Sequence, residues 1–472
     1  MSERWYDVIV IGAGPVGENV ADIVTSAGLS CAIVESELVG GECSYWACIP
    51  SKALLRPAAA LDAARRVEGA RSAVTGDIDV EAVLRRRDGF VGDWDDSGQV
   101  SWLESAGIDL VRGHGRLAGE KRVEVETDGG TVVLLARHAV AVSTGSDPLI
   151  PDIPGLVDTD PWTSREATGA QEVPASLAIL GGGVVGAEMA TAYTSFGSKV
   201  TLIVRGSLLS GHEDFAGEAV AAALRDSGAR VVTGSVTDAT RDVDGSVHLE
   251  LDTGETVVAD ELLVATGRAP RTRDIGLETV GLTPGDWLEV DDSLLVRGTG
   301  WLYAVGDVNH RALMTHQGKY QARAAGHAIA GRAAGVLTEA EPWTDAAASA
   351  DHAAVPAAVF TSPEVAAVGL TSTAAREAGL DVRVVDYDLG AVSGAGLHAD
   401  GYTGRARAVV DESRGVLVGV TFVGPDVTEL LHAATIAIVG EVPLHRLWHA
   451  VPAFPTMNEI WLRLLETYRA GA

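Results

Sequence analysis

The tightest constraint on this chain is a glycine pattern written twice. Val8-Ile9-Val10-Ile11 is a short buried-strand pattern, Gly12-Ala13-Gly14-Pro15-Val16-Gly17 follows, and a helical stretch runs to about Ala27. A second apolar run ends at Glu35, 18 residues after Gly17. Gly12 permits a tight turn, Gly14 lets the backbone approach a diphosphate, and Gly17 lets helix and strand pack closely; the Glu35 carboxylate can accept from a ribose hydroxyl. Strand before, helix after and acid at the right distance make a weak motif a strong one. The grammar recurs where Leu177-Ala178-Ile179-Leu180 leads into Gly181-Gly182-Gly183-Val184-Val185-Gly186, and the following strand ends at Arg205, 19 residues after Gly186. An acid there suits the 2′-hydroxyl of NAD, an Arg the 2′-phosphate of NADP. Arg205 favours NADP, with NAD the open alternative because only one Arg is present. The expected fold class is α/β, with two Rossmann-like dinucleotide-binding domains.

At 472 residues the chain has room for about three domains. A net charge of −29 argues against nucleic acid and anionic membrane as partners, since both call for clustered Lys and Arg. No uncharged apolar run approaches the ~20 residues that span a bilayer, and no basic n-region with a cleavage site precedes the first strand. Three cysteines fit a reducing cytoplasm better than a disulfide-stapled secreted fold.

Two of those cysteines stand close together in Gly40-Gly41-Glu42-Cys43-Ser44-Tyr45-Trp46-Ala47-Cys48-Ile49-Pro50-Ser51-Lys52. At that spacing the sulfurs can close a small ring on one turn of a helix, and such a disulfide takes up two electrons and passes them on as a dithiol. Zinc would want four ligands, and no second Cys/His cluster lies near. Cys31, in an apolar run, reads as a small hydrophobe. The chain has four lysines against 32 arginines, and one falls at Lys52. That choice points to a chemical need for an amine.

The Cys43–Lys52 block closely resembles the redox-active segment of the pyridine nucleotide–disulfide oxidoreductases, the flavoenzyme family of lipoamide dehydrogenase, glutathione reductase and mercuric reductase. Further matching motifs follow in the family's order over almost the whole chain. The resemblance implies FAD in the first dinucleotide fold and a nicotinamide coenzyme in the second. To the FAD site it assigns Gly12, Gly14, Gly17, Glu35, Gly41, Lys52, Gly115 in Arg112-Gly113-His114-Gly115, and Thr144 and Gly145 in Ser143–Pro148. It adds Gly306 and Asp307 in Leu302–Asp307, and His316, a flank of the helix opened by Met314-Thr315-His316-Gln317. To the coenzyme site it assigns Gly181, Gly183, Gly186, Arg205 and Gly267 in Ala265–Pro270. Cys48 would be the thiolate beside the flavin and Cys43 the interchange thiol that meets substrate, with Lys52 paired to Glu188.

The organisation expected is FAD segments at 1–149 and 271–345, an inserted coenzyme domain at 150–270, and an α+β dimerisation domain at 346–472. An Ala- and Arg-rich two-helix excursion is expected across 51–110. The C-terminal part should carry strands at Ala357–Thr361, Gly404–Val410 and Gly415–Val423 and helices at Asp426–Val439 and Asn458–Tyr468. In relatives this domain pairs two subunits and completes each active site from the partner, which implies a homodimer.

One anchor is missing. Disulfide reductases of the family carry a His-Pro-Thr-x-x-Glu run whose His, oriented by the Glu, moves a proton to or from the thiols. Here the run is Phe454-Pro455-Thr456-Met457-Asn458-Glu459. A general acid–base contribution of ~10²–10⁴ is therefore absent at Phe454. His449 is the candidate substitute, with Glu459 awaiting a partner. The leading expectation is an NADPH- and FAD-dependent oxidoreductase acting on a small disulfide or dithiol through Cys43 and Cys48. The alternatives are a non-thiol acceptor (quinone, metal ion or a second nicotinamide) and a flavoprotein subunit of a larger complex.

Overall fold

The computed structural model describes residues 3–471. The chain forms two compact units, each discontinuous in sequence: Met1–Pro50, Asp88–Leu149 and Arg268–Asp351 make one, Ser51–Arg87, Ile150–Gly267 and His352–Ala472 the other.

In the first unit the strands Asp109–Arg112, Cys31–Glu35, Glu3–Ile11 and Gly130–Val142 lie side by side in parallel, and Leu302–Ala304 adds to Gly130–Val142 in the same sense. Arg122–Thr127 and His114–Leu117 extend the sheet antiparallel from Gly130–Val142. A strand covered on both faces must be apolar at successive positions, and Val8, Ile9, Val10 and Ile11 are all buried. Cys31 pairs with Val8 inside this core, where burial pushes its thiol up; it is a packing residue.

The glycines do steric work. Gly12 has φ 99°, and a Cβ on Gly17 would sit 1.9 Å from the Gly12 carbonyl oxygen, so the helix Pro15–Ser26 can lie against its strand only without a side chain there. The second unit repeats the device: Gly181 has φ 125°, and Gly186 abuts the Gly181 carbonyl as the helix Val184–Ser195 begins. Its parallel sheet runs Arg230–Thr233, Lys199–Val204, Ser176–Leu180, Glu261–Val264, followed by the antiparallel trio Val236–Arg241, Val247–Leu251 and Thr256–Ala259.

The last third of the chain forms a five-stranded antiparallel sheet in the order Pro356–Val359, Glu364–Gly369, Val416–Gly424, Arg405–Asp411, Val382–Asp388. Its central strand is buried at every position. The expected helices are present but start later, at Leu431–Val439 and Glu459–Ala470. Two strands were not foreseen. Val382–Asp388 is an edge strand of polar-apolar mixture, and Glu364–Gly369 is Ala-rich, so neither carries a strong β signal.

The 51–110 tract also departs from expectation. It contains three helices, Cys48–Arg65, Val80–Phe90 and Ser97–Ser105. The second ends at Phe90 and is followed by the short turn Gly92–Trp94, where Asp93 and Trp94 both adopt positive φ. Among the described residues no helix is long and apolar enough to cross a membrane.

Candidate active site

In the first unit the redox segment is built on two glycines. Gly40 (φ 112°) and Gly41 (φ 55°) turn the chain into the short helix Gly41–Tyr45. Helical geometry ends at Trp46 (φ −137°) and resumes at Cys48. The cysteines therefore sit on two helices separated by a break, and the expected single turn of one helix is corrected. The break is what lets residues five apart approach; on a continuous helix they point away from each other.

The two cysteines are free thiols in hydrogen-bond contact. That hydrogen bond, first, and then burial and the negative charge on Cys48 push the Cys43 thiol up; the Thr315 hydroxyl and the Lys319 ammonium pull it down. Thr315 Oγ1 lies 3.3 Å from Cys48 Sγ. The contact with Cys48 thus holds the proton on Cys43.

The redox segment is fastened to the first nucleotide loop. The Gly40 N–H donates to the Ala13 carbonyl at 2.8 Å, and a Cβ on Gly41 would lie 2.8 Å from Gly14 Cα. Glu35 accepts from the Ala13 N–H at 2.7 Å and the Glu37 N–H at 2.8 Å. Gly115 lies in the strand His114–Leu117 against Val34. The Thr144 hydroxyl donates to the Arg271 carbonyl at 2.7 Å, Gly145 has φ 74°, and Ser146–Pro148 pairs antiparallel with Arg268–Pro270. Gly306 has φ 85° and its N–H donates to Gln321, while Asp307 accepts from the Ser146 hydroxyl at 2.6 Å. His316 is exposed in the first turn of the helix Thr315–Ala333.

In the second unit, the helix Cys48–Arg65 sends Leu54 and Leu55 into the same core as Ala187 and Met189. That packing carries Lys52 to Glu188: Nζ and Oε2 are 2.7 Å apart, with Glu188 buried and Lys52 partly exposed. Glu188 Oε1 accepts from the Phe360 N–H at 3.0 Å, and the Lys52 ammonium lies 5.1 Å from the Phe360 ring centroid. Both carboxylate oxygens are thus engaged by donors, as a buried carboxylate requires. Arg205 is exposed one residue past the strand Lys199–Val204, and Gly267 has φ 151°.

Dinucleotides fit these loops. The helices beginning at Pro15 and Val184 are preceded by Gly14 and Gly183, neither helix is capped by a side chain, and nothing lies within 4 Å of where a Gly183 Cβ would be. Uncapped N–H groups at a helix start beside a glycine cradle are what a diphosphate requires.

The C-terminal cluster is different from the pattern expected. Glu459 is buried and gives one carboxylate oxygen to Arg463 at 2.5 Å, one turn on in its own helix; among the described residues its other oxygen has no hydrogen-bond partner. His449 is exposed just beyond the helix Leu444–Leu447, and Phe454 is 74 % exposed. Three participants escaped the sequence: the Phe360 N–H, the Thr315 hydroxyl at Cys48, and Lys319, which is unusual mainly in being one of four lysines.

The sequence profile described as pyridine nucleotide-disulphide oxidoreductase matches residues 6–326, and that of the family's dimerisation domain matches residues 355–464. A mercuric reductase of Staphylococcus aureus is 30 % identical over 462 residues, covering 96 % of this chain and 81 % of the relative. A dihydrolipoyl dehydrogenase of Chlorobaculum tepidum is 33 % identical over 465 residues, covering 96 % and 95 %. Among solved structures, the Cu(II) complex of the HOCl-induced flavoprotein disulfide reductase RclA of Escherichia coli superposes with a TM-score of 0.83 at 25 % identity, covering 98 % of this chain and 99 % of that one.

Proposed function

The chain belongs to the pyridine nucleotide-disulphide oxidoreductase family, and from that premise we propose an NADPH-dependent flavoprotein that reduces a small disulfide through Cys43 and Cys48. The family is FAD-dependent and uses NAD(P)H; the choice of NADPH, the acceptor and the residue roles are our assignment. The observation that carries it is the contact between the Cys43 and Cys48 thiols, with Thr315 Oγ1 3.3 Å from Cys48 Sγ.

FAD, when bound, supplies two-electron transfer between nicotinamide and sulfur. Gly12, Gly14, Gly17, Gly41, Gly115, Thr144, Gly145, Gly306, Asp307 and His316 would hold it with Glu35, and Lys52, fixed by Glu188, is the amine that the family resemblance assigns to the same cofactor. Gly181, Gly183, Gly186, Arg205 and Gly267 would hold the coenzyme.

The thiol chemistry then follows from the pair itself. The Cys43 proton passes along its hydrogen bond to Cys48, and Cys43 Sγ attacks one substrate sulfur. The substrate S–S bond breaks, a Cys43–substrate disulfide forms, and the first product leaves. Cys48 Sγ attacks Cys43 Sγ, releases the second product, and closes the Cys43–Cys48 bond. The Cys43–Cys48 pair gives up two electrons and the substrate disulfide takes them; the pair's one proton leaves on the first product, and the second product leaves as a thiolate that takes its proton from solvent. The dimerisation profile over residues 355–464 supports a homodimer, and we assign the four segments 1–149, 150–270, 271–345 and 346–472 to FAD, coenzyme, FAD and dimerisation.

Phe454 favours a second reading: with no imidazole to protonate a leaving thiol, the dithiol would serve a non-thiol acceptor such as a soft metal ion or quinone. The names of the mercuric reductase and of the Cu(II)-bound reductase point the same way. A steady-state panel of lipoamide, glutathione disulfide, a quinone, Hg(II) and Cu(II) separates the two. Turnover with a disulfide, lost in Cys43→Ser, supports the first; turnover confined to the quinone or metal ions overturns it.

A further inference from the structure

Two helices of the first unit bring a buried carboxyl and an amine to the rear of the thiol pair. Glu18 follows Gly17 on the helix Pro15–Ser26. Lys319 stands one turn after Thr315 on the helix Thr315–Ala333, and Thr315 is the residue whose hydroxyl lies 3.3 Å from Cys48 Sγ. The helices meet at Gly318, where a Cβ would fall 2.6 Å from Val16 Cγ2. That contact presses the turn bearing Glu18 against the turn bearing Lys319.

Glu18 is an unusual group. Among the described residues its Oε1 is buried without a hydrogen-bond partner. Burial first, with the Glu35 charge adding and the Lys319 charge opposing, pushes its carboxyl up to about 7. The same Lys319 charge acts on Cys43 and draws its thiol down. The groups facing Cys43 are Cys48, Thr315 and Lys319; those facing Glu18 are Lys319, Glu35 and Tyr45. One ammonium thus serves two acids, and Glu18, once ionised, tempers what Cys43 receives.

We propose that Lys319 is a positioning residue for the interchange thiol: its ammonium, tempered by the Glu18 carboxylate, sets how readily Cys43 ionises, a control held inside the first unit and not on an imidazole at position 454. The inference rests on the assignment of Cys43 as the thiol that meets substrate.

The opposed signs of the two charges give the test. In flavin-loaded Cys48→Ser protein, where Cys43 titrates without its partner thiol, alkylation of Cys43 by iodoacetamide is followed against pH by mass spectrometry of the Cys43 peptide. Adding Lys319→Met should raise the midpoint by about one pH unit. Lys319→Arg should restore it. Glu18→Gln should lower it by about half a unit, since the ammonium then acts unopposed. A role in packing alone would shift Lys319→Met and Glu18→Gln in the same direction, and that result, or an unmoved midpoint, overturns the proposal. Where Lys319→Met loses its flavin, Lys319→Gln takes its place. Full turnover by Cys43→Ser would overturn the assignment beneath it; turnover lost in Cys43→Ser with an unmoved midpoint overturns this inference alone.

Discussion

Replacing Gly186 by alanine would place a methyl group 2.0 Å from the Gly181 carbonyl oxygen, where even the tightest real Cβ contacts stay beyond 3.0 Å. Both atoms belong to backbone, so the loop and the helix Val184–Ser195 must part by about 1 Å. Overpacking of this kind costs about 1–3 kcal/mol. Against it stand about 1 kcal/mol from the better helix propensity of alanine and about 0.8 kcal/mol from burying the methyl. Those terms nearly cancel, so folding stability should change by less than about 1 kcal/mol. Binding has no such compensation. The N–H groups at the helix start move by about 1 Å relative to the diphosphate they must meet, and a displacement of that size costs on the order of 100-fold where geometry matters. The expected result for Gly186→Ala is a yellow protein with wild-type flavin content whose affinity for NADPH, measured from the concentration dependence of flavin reduction in a stopped-flow instrument, falls about 30- to 100-fold. A variant that loses flavin while keeping its coenzyme affinity would show the two loops assigned the wrong way round. An affinity within about threefold of wild type would refute the argument from the backbone clash.

The exposed Arg205 is the basis for NADP, and Arg205→Glu should lower kcat/KM for NADPH about tenfold while raising it for NADH, as expected for one solvent-screened charge-assisted contact; equal values for both coenzymes in the wild type would remove the basis for the assignment. The Glu18 carboxyl is raised from its ordinary 4.5 to about 7, so the folded protein binds its proton more tightly than the unfolded chain does. Its contribution is therefore fully present below about pH 4.5 and lost as pH rises to about 7. At about 1.4 kcal/mol per unit that is about 3 kcal/mol. Glu18→Gln should lack this loss, making the denaturant midpoint of the variant exceed wild type at pH 8 and match it near pH 4.5; a constant difference across that range would refute the burial argument.

What the sequence disclosed was mostly local sterics. The two glycine turns were legible because carbonyl oxygens lie so close to Gly17 and Gly186 that any side chain there forces loop and helix apart, and the surrounding strand and helix follow from apolar runs. The Lys52–Glu188 contact, spanning 136 positions, came from resemblance, since no periodicity links residues so far apart. What stayed hidden depends on tertiary packing. The Phe360 N–H that completes Glu188 is a backbone group with no signature of its own, and Thr315 reads as an ordinary helix opener until the fold sets it against Cys48. The break at Trp46 was missed because the glycines before it, not Trp46 itself, fix the direction of the short helix. Glu459 looked as though it needed a distant histidine; Arg463 one turn away holds one of its oxygens and leaves the other without a partner among the described residues.

The fastening of Gly40 and Gly41 onto Ala13 and Gly14 has a consequence for how such a protein can diversify. The turn that opens the redox segment and the turn of the first nucleotide loop touch backbone to backbone, so neither can be redrawn without moving the other. Variation in what the thiols meet is then confined to side chains that leave this backbone contact in place.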